Sequence, residues 1–261
     1  MRAWIAGAAL AAGLAATAAA AAEPDHAPWD ALLSRYVVEN ADGVNRVDYA
    51  RWKASEADRA VLAGYIRGLE AARPSALTRN EQFAYWANLY NAVTVDTVIG
   101  RYPVASIRDI RSEGGGLKGL IGPWQTRKVT VEGRRLSLDE IENAVMRPTF
   151  RDPRVHYSLN CASIGCPNLP RHAFHGASLD ADLDAAARAY INHPRGVQIT
   201  PEGLRLSSIY TWYADDFGTA AQLRAHLERY SSPALAAQIR ATPHIAGYGY
   251  DWKLNGTGPA R

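Results

Sequence analysis

The chain has 261 residues, 48% of them hydrophobic and 21% charged, with a formal net charge of +3. This is the composition of a globular protein long enough to bury a sizeable core, and it excludes a disordered or fibrous chain. The small positive excess is not gathered into a lysine or arginine block, so it leaves no footprint for nucleic acid. The expected partner is a small molecule or an envelope protein.

Residues 1–22 read as a cleavable export signal. Arg2 supplies a charged start, an Ala-, Gly- and Leu-rich stretch runs from Ile5 to Ala22, and Ala20, Ala21 and Ala22 precede Glu23 and Pro24. The expected product is exported, to the periplasm or beyond. No cysteine follows the signal directly, since the two present are Cys161 and Cys166, and no later stretch is apolar enough to span a bilayer. A short N-terminal segment (23–44), one domain (45–255) and a tail (256–261) are expected to follow.

Trp29–Val38 has the pattern of a short helix, and Val44–Tyr49 that of an extended segment. Ala57–Ala72 predicts a helix with Val61, Leu62, Tyr65, Ile66 and Leu69 on its inner face, ended by Pro74. Thr78 followed by Glu81 has capping-box spacing, and Phe83, Trp86, Leu89, Tyr90 and Val93 recur at helical intervals as far as Gly100 and Pro103. A glycine-rich stretch, Gly114–Gly119, lacks the Gly-Lys-Ser/Thr order of a phosphate loop and reads as a mobile connection. A hairpin is expected about Gly133, then a helix from Leu138 to Met146 capped by Ser137 with Glu140. Val155–Leu159 reads as a strand ending at Asn160 and Cys161. Leu179–Ile191 predicts a helix, Val197–Ile199 and Leu204–Leu206 a hairpin about Pro201–Gly203, and Ser208–Tyr213 and Ala220–Tyr230 two more helices. Helices and short strands alternating irregularly predict an α+β fold, a single mixed domain of helices with short, mostly antiparallel strands.

The segment Arg154–Pro167 (RVHYSLNCASIGCP) resembles the signature of the family named domain of unknown function 547. The resemblance extends in order through Asn80–Ala92 (NEQFAYWANLYNA), Tyr102–Ile107 (YPVASI), Leu136–Glu142 (LSLDEIE), Leu206–Phe217 (LSSIYTWYADDF) and Tyr250–Asn255 (YDWKLN). It covers most of residues 45–255 and points to no particular activity, because none is assigned to the family as a whole. Many relatives have a histidine directly after the Ile-Glu pair, where this chain has Asn143.

The chemistry concentrates on His156, Cys161 and Cys166, and three arrangements compete. In an oxidising compartment the two cysteines can close a disulfide, giving a scaffold that binds a ligand or partner. Alternatively, Cys161 is the nucleophile of a thiol-dependent hydrolase or acyl transferase, with His156 or another histidine, such as His172 or His175, as base and Glu81, Asn88 or Asn91 orienting or binding. A metal held by both sulfurs and His156 is the weakest, since Cys-x4-Cys lacks a second ligand pair, and neither metal nor cofactor is expected. As a strand, Val155–Leu159 would hold His156 and Cys161 on opposite faces and about 17 Å apart, so their pairing requires a sharp turn. Glu81 is also explained by capping alone. Trp86, Asn88, Tyr90 and Asn91 on the capped helix, with Asn160, are the candidate ligand-binding residues. Trp212, Tyr213, Asp215, Asp216 and Phe217 form a second polar-aromatic cluster whose acids can cap a helix or pair with arginines.

Overall fold

The structure, a computed structural model, describes residues 22–111 and 122–258; the N-terminal apolar segment and the glycine-rich stretch Gly114–Gly119 lie outside the described residues. The architecture is α+β, mainly helical with short antiparallel or mixed strands.

Helix α1 (Ala27–Tyr36) buries Trp29, Leu32, Leu33 and Tyr36, the i, i+3, i+4, i+7 stripe of an amphipathic helix. It stops earlier than the periodicity predicts, because Val37–Val38 (β1) pairs antiparallel with Arg46–Val47 (β2). Helix α2 (Tyr49–Ala54) and helix α3 (Glu56–Ala71) follow; α3 buries Leu62, Tyr65 and Leu69 and leaves Val61 exposed, narrowing the predicted inner face. Helix α4 (Arg79–Arg101) opens with the predicted capping box of Thr78 and Glu81. Almost every residue from Phe83 to Ile99 is buried, as for a helix enclosed by the core on all sides.

Strands β3 (Val129–Val131) and β4 (Arg134–Leu136) form the expected hairpin, joined by Glu132 at φ 46° and Gly133 at φ 78°. Two successive positive φ angles make the two-residue turn that matches strand twist. Beyond Ser137 the chain winds as a π-helical segment, Glu140–Met146, into α5 (Arg147–Phe150).

Val155–Ser158 is a helical turn (α6), not the predicted strand. Asp152 and Pro153 explain the difference: the Asp152 carboxylate accepts from the Arg154 amide, and the Val155 and His156 amides donate back to the Asp152 and Pro153 carbonyls. An aspartate followed by proline is a helix start, and it overrides the β preference of Val155 and Tyr157.

Helix α7 (Leu179–Ile191) leads to the hairpin of β5 (Val197–Thr200) and β6 (Gly203–Ser207). Four helices follow, α8 (Ile209–Trp212), α9 (Ala214–Phe217), α10 (Ala220–Tyr230) and α11 (Pro233–Ala241), before β7 (Ile245–Gly249) returns parallel to β6. A crossover of this length is what a parallel neighbour demands. No helix among the described residues is long and apolar enough to cross a membrane.

The apolar side chains form two clusters, one built on α1–α4 and the segments through Leu183, the other on Tyr157, α7, β5, β6 and α8–α11. After β7 the chain crosses back as an extended strap. The Ile164 and Gly165 amides donate to the Lys253 and Asp251 carbonyls, the Asn255 amide to the Ala162 carbonyl, and the Val47 amide to the Asn255 carbonyl. Gly165 is required there, since a Cβ would lie 2.8 Å from the Asp251 nitrogen. Buried amides complete the tie: Asn91 donates to the Ser158 carbonyl and accepts from the Asn160 amide, Asn160 donates to the Pro167 carbonyl, and Asn255 donates to the Asn160 side chain.

Asn160→Ala and Asn255→Ala should each destabilise the protein by about 2–3 kcal/mol, because buried partners lose their bonds. In denaturant titrations the double variant should lose clearly less than the two combined. Simple additivity would show that the amides act independently.

Candidate functional site

A cleft of about 250 Å³ opens at the seam between the two apolar clusters. The first cluster's side contributes Tyr90, Trp124 and Leu159; the second's contributes Ile209, Tyr213 and Tyr250. The cysteine loop brings Cys161, Cys166 and Pro167 to the same cleft, and the π-helical region brings Asp139 and Glu142. Short π-helical turns often occur at functional sites, where they re-aim side chains that an α-helix would place elsewhere.

Cys161 and Cys166 are joined by a disulfide, and no free cysteine remains among the described residues. Donors crowd the sulfurs. The Cys161 amide donates to the Cys166 sulfur at 2.9 Å, the Tyr250 hydroxyl lies 3.0 Å from each sulfur, and the Ser163 hydroxyl lies 3.1 Å from that of Cys161. Ala162, at φ 61°, turns the loop and donates its amide to the Asn160 side chain.

His156 lines the cleft from α6 but is almost wholly buried, 3% exposed. Its Nε2 is 2.7 Å from the Asp216 carboxylate, and its Nδ1 faces Glu142 at 3.6 Å without a hydrogen-bond partner. Tyr213 stacks on the ring at a centroid distance of 4.1 Å. Burial by itself lowers the imidazole pKa, but the hydrogen bond with Asp216 and the charged groups of Asp216 and Glu142 outweigh it and hold the value above its ordinary 6.5. The same contact, with help from Arg147, pulls Asp216 down to about 2. Arg147 also donates to Asn143, whose amide donates to Asp139. Asn143 thus links Asp139 to the Arg147 that pairs with Asp216.

Of the candidate residues read from the sequence, the cleft gathers Cys161, Cys166, His156 and Tyr90, whereas Glu81, Trp86, Asn88, Asn91 and Asn160 do not line it. The Glu81 carboxylate accepts from the Thr78 amide and hydroxyl, an N-terminal capping arrangement roughly 13 Å along α4 from Tyr90. Asn88 donates to the Phe174 carbonyl and accepts from the Phe174 amide. His156 and Cys161 share the cleft, but the imidazole is bonded to Asp216 and the sulfurs to Tyr250 and Ser163. Among the described residues no group of three His, Cys, Asp or Glu is placed to hold a metal ion. Sequence reasoning passed over Glu142, Asp139, Trp124 and Trp252 as site residues, although the LSLDEIE and YDWKLN motifs carry three of the four.

Residues 74–191 match the model of a family described as a protein of unknown function, DUF547. The DUF547 match spans Tyr90, Asp139, Glu142, His156 and both cysteines. It ends before the rest of the cleft, Trp212, Tyr213, Tyr250 and Trp252, and before Asp216. Searches of curated proteins and of solved structures returned no match.

The His156–Asp216 pair makes a pH prediction with a definite sign. A raised imidazole pKa contributes stability that is complete below about 6.5 and fades as pH rises through the folded-state value; a depressed carboxylate contributes above about 3.8 and fades toward pH 2. Asp216→Asn should therefore cost about 3 kcal/mol near pH 6 and flatten the decline in Tm on the alkaline side. Circular dichroism melts from pH 5 to 9 test this, and an unchanged pH slope would contradict it.

Proposed function

We propose that the chain is an exported protein that binds a small organic ligand in the aromatic cleft, on a scaffold tied by the Cys161–Cys166 disulfide. The cleft wall carries the reading. Trp212, Tyr250 and Trp252 stand with ring centroids 4.6–5.5 Å apart, and Trp212 is 48% exposed although it is among the largest apolar side chains. A cluster of rings lining a concave site, one of them exposed and two half-buried, backed by a few directed polar groups, is how small ligands are held. The concavity favours a small molecule over an envelope protein. Export rests on the N-terminal apolar segment and accords with oxidised cysteines.

A second reading has its own observation. The Ser163 and Tyr250 hydroxyls beside the Cys161 sulfur are donors that would stabilise its thiolate once a dithiol had reduced the bond. Cys161 could then attack an acyl carbonyl, release the leaving group and pass the acyl group to water or an amine. His156 would help to fix charge in the cleft.

Thiol alkylation separates the two. Protein purified from an oxidising compartment without reductant should show no reactive thiol, and Trp212→Ala should weaken ligand binding at least about fivefold while leaving Tm nearly unchanged. Stoichiometric labelling of Cys161, with turnover abolished in Cys161→Ala, would replace the binding reading with the thiol enzyme.

A further inference from the structure

Taking the cleft as a ligand site, we propose that its ligand presents a cationic group, an alkylated amine or a quaternary ammonium, to Glu142 and Asp139 against the rings of Trp212 and Tyr250. The ionisable residues lining the cleft are Asp139, Glu142, His156 and tyrosines, with no lysine or arginine among them. Rings faced by carboxylates attract cations through the negative face of the π system and through ordinary charge.

The charges behind the wall keep that preference. Asp216 is paired with His156 and with Arg147, and Arg147 is further held by Asn143 while standing 4.9 Å from the centre of the Tyr213 ring. Counting Arg108 over the Trp252 ring, the three acids Asp139, Glu142 and Asp216 balance the cations when His156 is protonated and outnumber them by one when it is neutral, while both acids that line the cleft itself are left without a lining lysine or arginine. An anionic ligand would lie against the Asp139 and Glu142 carboxylates, with no lining lysine or arginine to offset them. Asp139 has one oxygen engaged by Asn143, and Glu142 stands 3.6 Å from the unpartnered Nδ1 of the buried His156, so both carboxylates, which line the cleft, keep acceptor capacity beyond these contacts.

One ring is already used in this way. The Arg108 guanidinium stands 5.2 Å from the centre of the Trp252 ring, so one face of Trp252 holds a cation supplied by the chain itself. The arriving cation is therefore placed against Trp212 and Tyr250, whose ring centroids are 4.8 Å apart. Together with Glu142 they supply two aromatic faces and a counter-charge. A neutral sugar could stack on the same rings, but it would gain little from the two acids.

The test compares two probes of one shape. Calorimetric titration of the protein with choline chloride should give saturable one-site binding, about tenfold tighter than 3,3-dimethyl-1-butanol, which has a carbon in place of the charged nitrogen. Glu142→Gln should lose about tenfold for choline and little for the alcohol, with near-ultraviolet dichroism confirming intact packing. The wild-type comparison decides even where that variant folds poorly. Equal affinity for the two probes, or an unchanged choline affinity in folded Glu142→Gln, overturns the cationic ligand. If the neutral alcohol binds as tightly as choline and Trp212→Ala abolishes its binding, the cleft remains a ligand site while the cation proposal falls. If neither probe saturates, both fall.

Discussion

The cleft depends on a run of buried amides, Asn91, Asn160 and Asn255, that fastens three distant stretches of chain at one place. Tyr49 extends the run by donating to the Asn255 side chain. Each amide is polar and buried, so it must be bonded in the folded state, and its partners lie on different elements. A network of this kind gains strength in a low dielectric when complete and becomes a liability when any member is removed. That is why α4, the cysteine loop and the C-terminal strap cannot shift independently. The sulfurs, the strap rings Tyr250 and Trp252, and Tyr90 on α4 keep their mutual positions as a result.

The opposite wall is held by charge. His156 is buried between two carboxylates, stacked by Tyr213 and tilted against Phe217, and Arg147 closes the group from the side of Asp216. A buried ion pair gains little over a good apolar core, because both partners must be stripped of water. Its effect is positional. Asp216 on α9 and His156 on α6 belong to segments sixty residues apart, and their contact sets the second apolar cluster against the first. The width of the seam follows from that registration.

Features carried by neighbouring residues were legible in the sequence. The capping box at Thr78 and Glu81, the hairpin about Gly133 and the amphipathic α7 all rest on interactions within a few positions, and periodicity with turn chemistry reports those. Val155–Leu159 misleads because β-branched and aromatic residues outweigh the aspartate and proline just before them in any reading by propensity, whereas the hydrogen bonds favour the latter. The parallel pairing of β7 with β6 spans α8–α11 and leaves no local mark. The asparagines illustrate the harder case. Asn88, Asn91 and Asn160 stand out as polar residues in apolar company, but a sequence does not show whether such an amide faces a cavity or a loop carbonyl. The cleft acids were hidden for a related reason: nothing local in a capped helix from Leu138 marks Asp139 and Glu142 as cleft residues, or shows that Glu142 sits in a π-helical segment.

The same hydrogen bonds bear on the two readings of the cysteine pair. Besides the disulfide, the loop from Asn160 to Pro167 is held by Asn160 to the Pro167 carbonyl, by the Cys166 amide to the Ser163 carbonyl, by two strap bonds to Lys253 and Asp251, and by Tyr190 to the Gly165 carbonyl. A disulfide closing so short a loop adds about 2 kcal/mol, chiefly by restricting the unfolded chain, whereas the loop's own bonds number several at about 1 kcal/mol each. The shape of the loop therefore does not hang on the sulfur bond. Reduction would lower overall stability while leaving both sulfurs against Tyr250 and Ser163, and the aromatic wall would stay as it is. Ligand affinity and thiol reactivity at this cleft are thus separable properties: the first belongs to the rings and acids of the seam, and the second to the redox state of two atoms at its edge.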